Sequence, residues 1–480
     1  MVLYYYYIRI ERNRQGEIQT MKKYIITIIP LILISVMFLS GCSLGEMNRE
    51  NELKSSLEST YEELTSTFSG DSGQYSLVSE YLKSWAKKNS IEIADSGSSY
   101  TILSNPATTG YENSEPTVLQ CSIRTDDFRN SMQSLAISLT SLLGPEIHGN
   151  ISLIVTEVDH GEFTGASAAD PKYYSSGSFI NIDNSDDIEL VRAGSYEMDS
   201  TMTASLSTSA SSYTHAYTIT MSISGYHDPF SFENHYPNPV ETIGSLLATE
   251  KSSGKLFDLA SFECESADGY TPTSATAVVV VNDNDVNSFT SKFEKSYNSI
   301  KNKFEKLGDN FVYTLTETSL PESVISSDSS NNIISLMYTL QSGIYLQDED
   351  TGEIISASDI SYVSTSGGTF TLKMRSRSTD KATLSDMSAE FLTTSGLSDI
   401  SYSVTDPHMT WSSDSKNGAS AFLADALGTN DSITENTLES SDLDVFASKA
   451  DINAVSYRCS LTHREAALMN LLHYTESLVQ

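Results

Sequence analysis

Apolar positions recur along this chain in two rhythms, one of period two and one near three and a half. Between Pro116 and Phe128 the run Val118-Leu119 continues into alternating Cys121 and Ile123, which predicts a buried strand leading into a loop. From Phe128 to Leu143 the spacing turns helical, with Leu135, Leu139 and Leu142 inward. Earlier, Leu77, Val78, Tyr81, Leu82 and Trp85 share one face of a helix over Ser76 to Asn89. Leu53, Leu57, Tyr61, Leu64 and Phe68 set out another in the polar stretch Ser43 to Gly70. A strand follows over Ile151 to Thr156.

From about Thr203 the texture becomes Ser/Thr-rich and alternating. Strands are predicted over Tyr217–Ile223, Thr276–Val281 and Gly368–Met374, and helices over Ile243–Glu250, Phe289–Lys306 and Thr383–Thr393. Ala419–Leu427 and Arg464–Leu478 read as the last helices. Strands alternating with helices make this an α/β protein. The chain has 480 residues, enough for two or three domains with their own cores. Its net charge of −34 argues against nucleic acid as a partner.

Residues 1–20 match nothing downstream. Met21-Lys22-Lys23 opens a basic segment, Tyr24 to Leu39 is apolar, and Leu39-Ser40-Gly41-Cys42 has the form of a bacterial lipobox. The expectation is a signal peptide over 1–41, preceded within it by a mis-called extension, with lipidation at Cys42. The mature chain would then be held at the extracytoplasmic face of a bacterial membrane through a lipid anchor. Cys121, Cys264 and Cys459 are too few and too scattered for a disulfide framework, so buried thiols are expected.

Several stretches together resemble one family. They are Trp85-Ala86-Lys87, Asn105 to Glu115 (NPATTGYENSE), Pro116 to Phe128 (PTVLQCSIRTDDF), and His148-Gly149 before a strand. Thr156 to Gly161 running on to Gly165-Ala166, and Phe179 to Asp187 (FINIDNSDD), complete the set. This combination is similar to the aminoacyl-histidine dipeptidases, cytosolic two-zinc peptidases. The resemblance implies a zinc-peptidase-like α/β/α catalytic-type domain with an inserted α+β lid. It divides the chain into a tether and first helix over 42–69, a first peptidase-like segment over 70–202, the lid over 203–406, and a second segment over 407–480. It also implies a dimer through the lid.

The motif positions that carry the chemistry have changed. A two-metal site needs imidazole or carboxylate ligands and a carboxylate base. The family's first zinc-binding His falls at Ser122 and the Asp that orients it at Arg124. The base Glu falls at Asp159 and the adjacent ligand Glu at His160. The ligand Asp is retained as Asp183, the last His falls near Asn453, and the bridging Asp falls at Arg129 or Asn130. In the lid, the oxyanion-stabilising His is retained as His227 and an Arg that grips a substrate carboxylate as Arg375; both are ligand-binding candidates, with solvated surface roles as the bland alternative. Metal loss would leave Asp183 and Asp159 repelling each other, so Arg124 or Arg129 is expected to take the metal's place.

The sequence reading is therefore a lipid-anchored protein with a dipeptidase-like fold, catalytically inactive, needing no cofactor, and binding a peptide, a wall fragment or a protein. Two alternatives stand beside it. One is an active metallo-dipeptidase with zinc or another divalent ion in a rearranged site around His160, Asp183, Asp126, Asp127 and Asp159. The other is a structural surface protein.

Overall fold

The computed structural model describes residues 47–480 except 70–72, 126, 160, 176, 226, 232–235, 266–270, 306–310, 415, 417, 430–431 and 480. Cys42 and the segment 1–41 lie outside the described residues. The chain divides into two units, Met1–Glu63 and Leu64–Gln480. The described part of the first is helical. Its helix (α1, 47–67) runs on into the second unit.

In the second unit, α2 (Tyr75–Asn89) precedes β1 (Glu92–Ser96), β2 (Tyr100–Asn105), β3 (Thr117–Arg124), α3 (Phe128–Leu143), β4 (Ile151–Val158), α4 (Thr164–Ala168), β5 (Ser178–Asn184) and β6 (Glu189–Val191). Then follow β7 (Tyr196–Ser205), β8 (Thr208–Ser209), β9 (His215–Ile223), α5 (Pro239–Ser252), β10 (Phe257–Glu265), β11 (Ser274–Val281), α6 (Val286–Lys303), β12 (Phe311–Glu317), β13 (Val324–Ile325) and α7 (Ser327–Thr339). The chain continues through β14 (Gly343–Gln347), β15 (Ile354–Ser364), β16 (Thr369–Ser378), α8 (Lys381–Leu397), β17 (Ser401–Val404) and β18 (His408–Met409). It ends with α9 (Gly418–Leu427), β19 (Ile433–Thr434), α10 (Asp442–Lys449), β20 (Asn453–Cys459) and α11 (Arg464–Ser477).

The first sheet has eight strands in the order β1-β2-β4-β3-β5-β20-β6-β19. Its centre, β4-β3-β5-β20, is parallel, and antiparallel strands flank it. Parallel strands covered on both faces read as apolar runs, and the side chains of Thr117–Cys121 in β3 are all buried. One face carries α3 and α11, with Leu135, Leu139, Leu142, Leu468 and Leu471 buried. The other packs Val118, Ile154, Phe179 and Ala454 against Leu443 and Phe446 of α10. This is an α/β/α sandwich. β3 leads through α3 to β4 on one side, and β4 leads to β5 on the other. The order therefore reverses at β3, the kind of switch point where open α/β sheets hold ligands at their carboxyl edge.

The middle of the chain forms a four-stranded sheet, β10-β11-β9-β12, and a six-stranded one containing β14-β15-β16-β7-β17, with β18 also on β7. With α5 to α8 they share one hydrophobic core, in which Ile219, Val279, Leu247, Phe289, Leu336, Met374 and Leu384 meet. The boundary expected at 202/203 falls inside β7. Its hydrogen bonding to β16 begins at Tyr196, so the inserted sheet starts there, and β18 carries it on to Met409. The Ser/Thr-rich alternation sets in only after that strand has begun. Ser/Thr positions also hid β7 itself, whose inward residues are Met198, Ser200 and Met202.

Cys121 and Cys459 are buried free thiols, as expected, whereas Cys264 is only half-buried. Its sulfur accepts a hydrogen bond from Val363 N at 3.1 Å.

Candidate functional site

Four parallel strands end together at the carboxyl edge of the first sheet, and period-two alternation puts their even-numbered or odd-numbered side chains on the α10 face. The register fixes who meets whom. Ser122 lies beside Thr156, Gln120 beside Asn181, Asn181 beside Ser456, and Asp183 beside Arg458. Along this face the chemistry grades from apolar (Val118, Ile154, Phe179, Ala454) through polar (Gln120, Thr156, Asn181, Ser456) to charged (Arg124, Asp183, Arg458).

Asp442, the first residue of α10, comes down onto this face. It is 1% exposed. Its Oδ2 accepts from Gln120 Nε2 at 2.9 Å, from Thr156 Oγ1 at 2.7 Å, and from the Ser122 hydroxyl. Burial pushes its carboxyl up to about 6, against the lowering effect of Ser122, Thr156 and Arg124, with Asp183 pushing the same way as burial. Gln120 Oε1 in turn accepts from Asn181 Nδ2 at 2.5 Å, and Asn181 Oδ1 from Ser456 Oγ at 2.6 Å. Ser456 Oγ accepts from Arg458 Nε at 3.3 Å. Arg458 Nη1 reaches Glu439 at 2.9 Å and Glu189 at 3.9 Å. Burial opposes the charge of Arg458, and Glu439, Asp183 and Glu189 together more than offset that.

The sequence-derived positions fare unequally. Ser122, Arg124 and Asp183 do gather at this edge. Asp159 lies just beyond β4, exposed, with its Oδ1 accepting from Thr125 Oγ1 at 2.9 Å. His160 lies outside the described residues. Asn453 is misplaced: it begins β20 and pairs with Ser178 at the amino edge, five residues from the level of Asp183, roughly 16 Å along a strand. There its Oδ1 accepts from Asp414 N at 2.9 Å. The imidazole beyond the carboxyl end of β20 is His463, whose Nδ1 lies 2.8 Å from Ser460 Oγ and 3.2 Å from Asp187. Arg124 acts on Asp442, while the cation across from Asp183 is Arg458, which the motif comparison did not single out.

The lid candidates are both engaged in protein contacts. Arg375 Nε donates to Asp199 at 3.0 Å and lies 3.6 Å from Glu197. His227 stacks on Tyr236 at 3.4 Å, and its Nε2 lies 3.1 Å from Ser224 O. The neighbouring Asp228 accepts from Ser440 Oγ at 2.9 Å, linking this loop to the approach of α10.

The motif resemblance implies two zinc ions, and the donor set among the described residues does not fit them. Zinc takes imidazole nitrogen, thiolate or carboxylate oxygen. Here Ser122 presents a hydroxyl already given to Asp442, the Asn453 position is at the wrong end of its strand, and two guanidinium groups bear on the carboxylates. Cys121 offers no nucleophile either, since full burial pushes its thiol up to about 12. What the arrangement can do is hold polar groups rigidly.

Asp442, Asn181, Ser456 and Arg458 were missed by motif matching. For the strand residues a local signal existed: polar residues at every second position of otherwise apolar strands, as in Gln120-Ser122-Arg124 and Ser456-Arg458.

No protein-family model and no curated protein sequence matches this chain. Among solved structures it is similar to the aminoacylhistidine dipeptidase of Vibrio alginolyticus, at 16% identity over 85% of this chain and 92% of that one, with a TM-score of 0.49. It is also similar to aminopeptidase PepT of Bacillus cereus, at 10% identity over 89% of this chain and 99% of that one, with a TM-score of 0.46. A tripeptidase of Staphylococcus aureus is matched at 11% identity over 88% of this chain and 98% of that one, with a TM-score of 0.46.

Proposed function

We propose that this chain is a non-catalytic binding protein with a dipeptidase-like fold, taking a peptide, a wall fragment or another protein at the old cleft or on the inserted domain. One observation carries the reading. The position where the motif resemblance places a metal-binding imidazole is Ser122, and its hydroxyl is spent on the buried carboxylate of the chain's own Asp442. A group so engaged supplies no ligand and activates no water. The proposal includes a lipid anchor at Cys42, an extracytoplasmic location, and self-association through the inserted domain.

The test is dipeptide hydrolysis by the purified chain, with Xaa-His substrates and added zinc, manganese or cobalt. The expected outcome is no turnover above the metal-only blank. Turnover that Asp183→Ala abolishes would overturn the reading in favour of a working metallopeptidase. For the anchor, Cys42→Ala is expected to release the chain from membrane fractions; unchanged anchoring refutes that part.

A further inference from the structure

The hydrogen bonds behind the carboxyl edge all point one way. Arg458 Nε donates to Ser456 Oγ, which donates to Asn181 Oδ1. Asn181 Nδ2 donates to Gln120 Oε1, and Gln120 Nε2 donates to Asp442 Oδ2. The series runs from a fixed cation on β20, across β5 and β3, to a buried carboxylate on α10. Gln120, Asn181 and Ser456 are each no more than 2% exposed. In such low-dielectric surroundings, donors aligned head to tail polarise one another, and each link strengthens the next.

We infer that this directed relay, Arg458–Ser456–Asn181–Gln120–Asp442, is a metal-free substitute for a two-metal centre, balancing charge at the sheet edge through hydrogen bonds instead of a divalent ion. The inference deepens the non-catalytic reading of the same site and rests on it. Two carboxylates, the buried Asp442 and the half-buried Asp183, need compensation here. Arg458 faces Asp183 across the β5–β20 register and reaches Asp442 through the relay, while Arg124 acts on Asp442 from the end of β3. Each middle member uses a donor and an acceptor, so the direction is fixed by the two charged ends: Arg can only donate and a carboxylate only accepts. A neutral side chain without both functions at Asn181 or Gln120 breaks the line.

The experiment is a double-mutant cycle on the full chain, read by denaturation midpoint. Arg458 and Asp442 share no direct hydrogen bond, so apart from the Asp183 charge that bears on both they are expected to be close to additive. The relay predicts otherwise: Arg458→Gln and Asp442→Asn each lower the midpoint, and the double variant loses clearly less than their sum. That coupling disappears in an Asn181→Leu background. Ser456→Ala serves as a milder break if Arg458→Gln does not fold, and its loss is expected to shrink beside Asp442→Asn. Wild-type Tm is expected to be unchanged by a chelator or by added zinc. Additive effects, or coupling that survives Asn181→Leu, overturn the relay. A Tm that falls with chelator and recovers with zinc overturns the metal-free centre. Dipeptide turnover with the coupling intact would instead fail the non-catalytic reading alone.

Discussion

Arg377 Nε donates to Glu197 Oε2 at 2.8 Å, joining neighbouring strands β16 and β7 in a nearly water-free position, with the Arg377 side chain 6% exposed. The same guanidinium donates to Leu438 O at 3.2 Å and to Ser440 Oγ at 2.9 Å, lies 3.5 Å from Asp444, and stands 4.9 Å over the Phe230 ring. It ties the inserted sheet to the start of α10, the helix that carries Asp442.

Removing one partner of such a buried group strands the others. Arg377→Ala is expected to cost about 3–5 kcal/mol in urea or guanidinium unfolding. Arg377→Lys should recover only part, because an ammonium cannot serve the carboxylate, the carbonyl and the hydroxyl in the guanidinium's planar geometry. A cost under about 1 kcal/mol for Arg377→Ala would show the tie to be incidental.

Acid should stabilise this protein over the mildly acidic range. Glu250 is fully buried, and neither of its carboxylate oxygens accepts a hydrogen bond among the described residues. Burial pushes it up to about 7, Lys292 and Lys255 lowering it in part. Burial likewise lifts Asp359 to about 7, although Asn238 and Thr271 donate to it, and Asp442 to about 6. Each folded pKa exceeds the unfolded one, so the native state holds more protons between them. Stability is therefore full below about pH 4 with respect to these groups and is lost as pH rises through 6 to 7. Tm measured from pH 5 to 8 should fall with rising pH, and Glu250→Gln should flatten the slope. An unchanged slope in that variant refutes the assignment to Glu250.

Gly177 turns the chain into β5 at φ +90°, where a Cβ would sit 2.1 Å from Pro116 O. Both the conformation and the space exclude a side chain. Gly177→Ala is expected to cost about 1–3 kcal/mol, chiefly by pushing β5 off β3. Gly254→Ala is a control: its φ is similarly positive, at +77°, with nothing near its Cβ. It should show the backbone strain without the clash. Equal losses in thermal unfolding would mean that strain alone is at work at Gly177.

Much of the scaffold was legible because its signals are local. The apolar run of β3, the leucine spacing of α3 and the alternation of β9 each announce an element without help from elsewhere. The site was harder. Ser122, Arg124 and Asp183 were found from short motifs on strands that the structure brings together. Asn453 was placed from a motif whose neighbouring residues have all changed, whereas Ala454, Val455 and Tyr457 make the stretch a buried strand that begins at Asn453. Asp442 had no local signature at all: its meaning lies in Ser122, 320 positions away in sequence. Only the sheet order connects them.

β20 sits between β5 and β6 and hydrogen-bonds to both. During synthesis β5 is complete at Asn184, yet the strand that fills the gap beside it begins at Asn453. A growing chain therefore carries two open strand edges while the whole inserted region is being made. Loop-closure entropy over that span has to be met before the pairing can offset it. Open edges of this kind invite pairing with other chains. The first sheet thus becomes whole only once β20 has been made, and a chain truncated before Asn453 keeps an unsealed sheet.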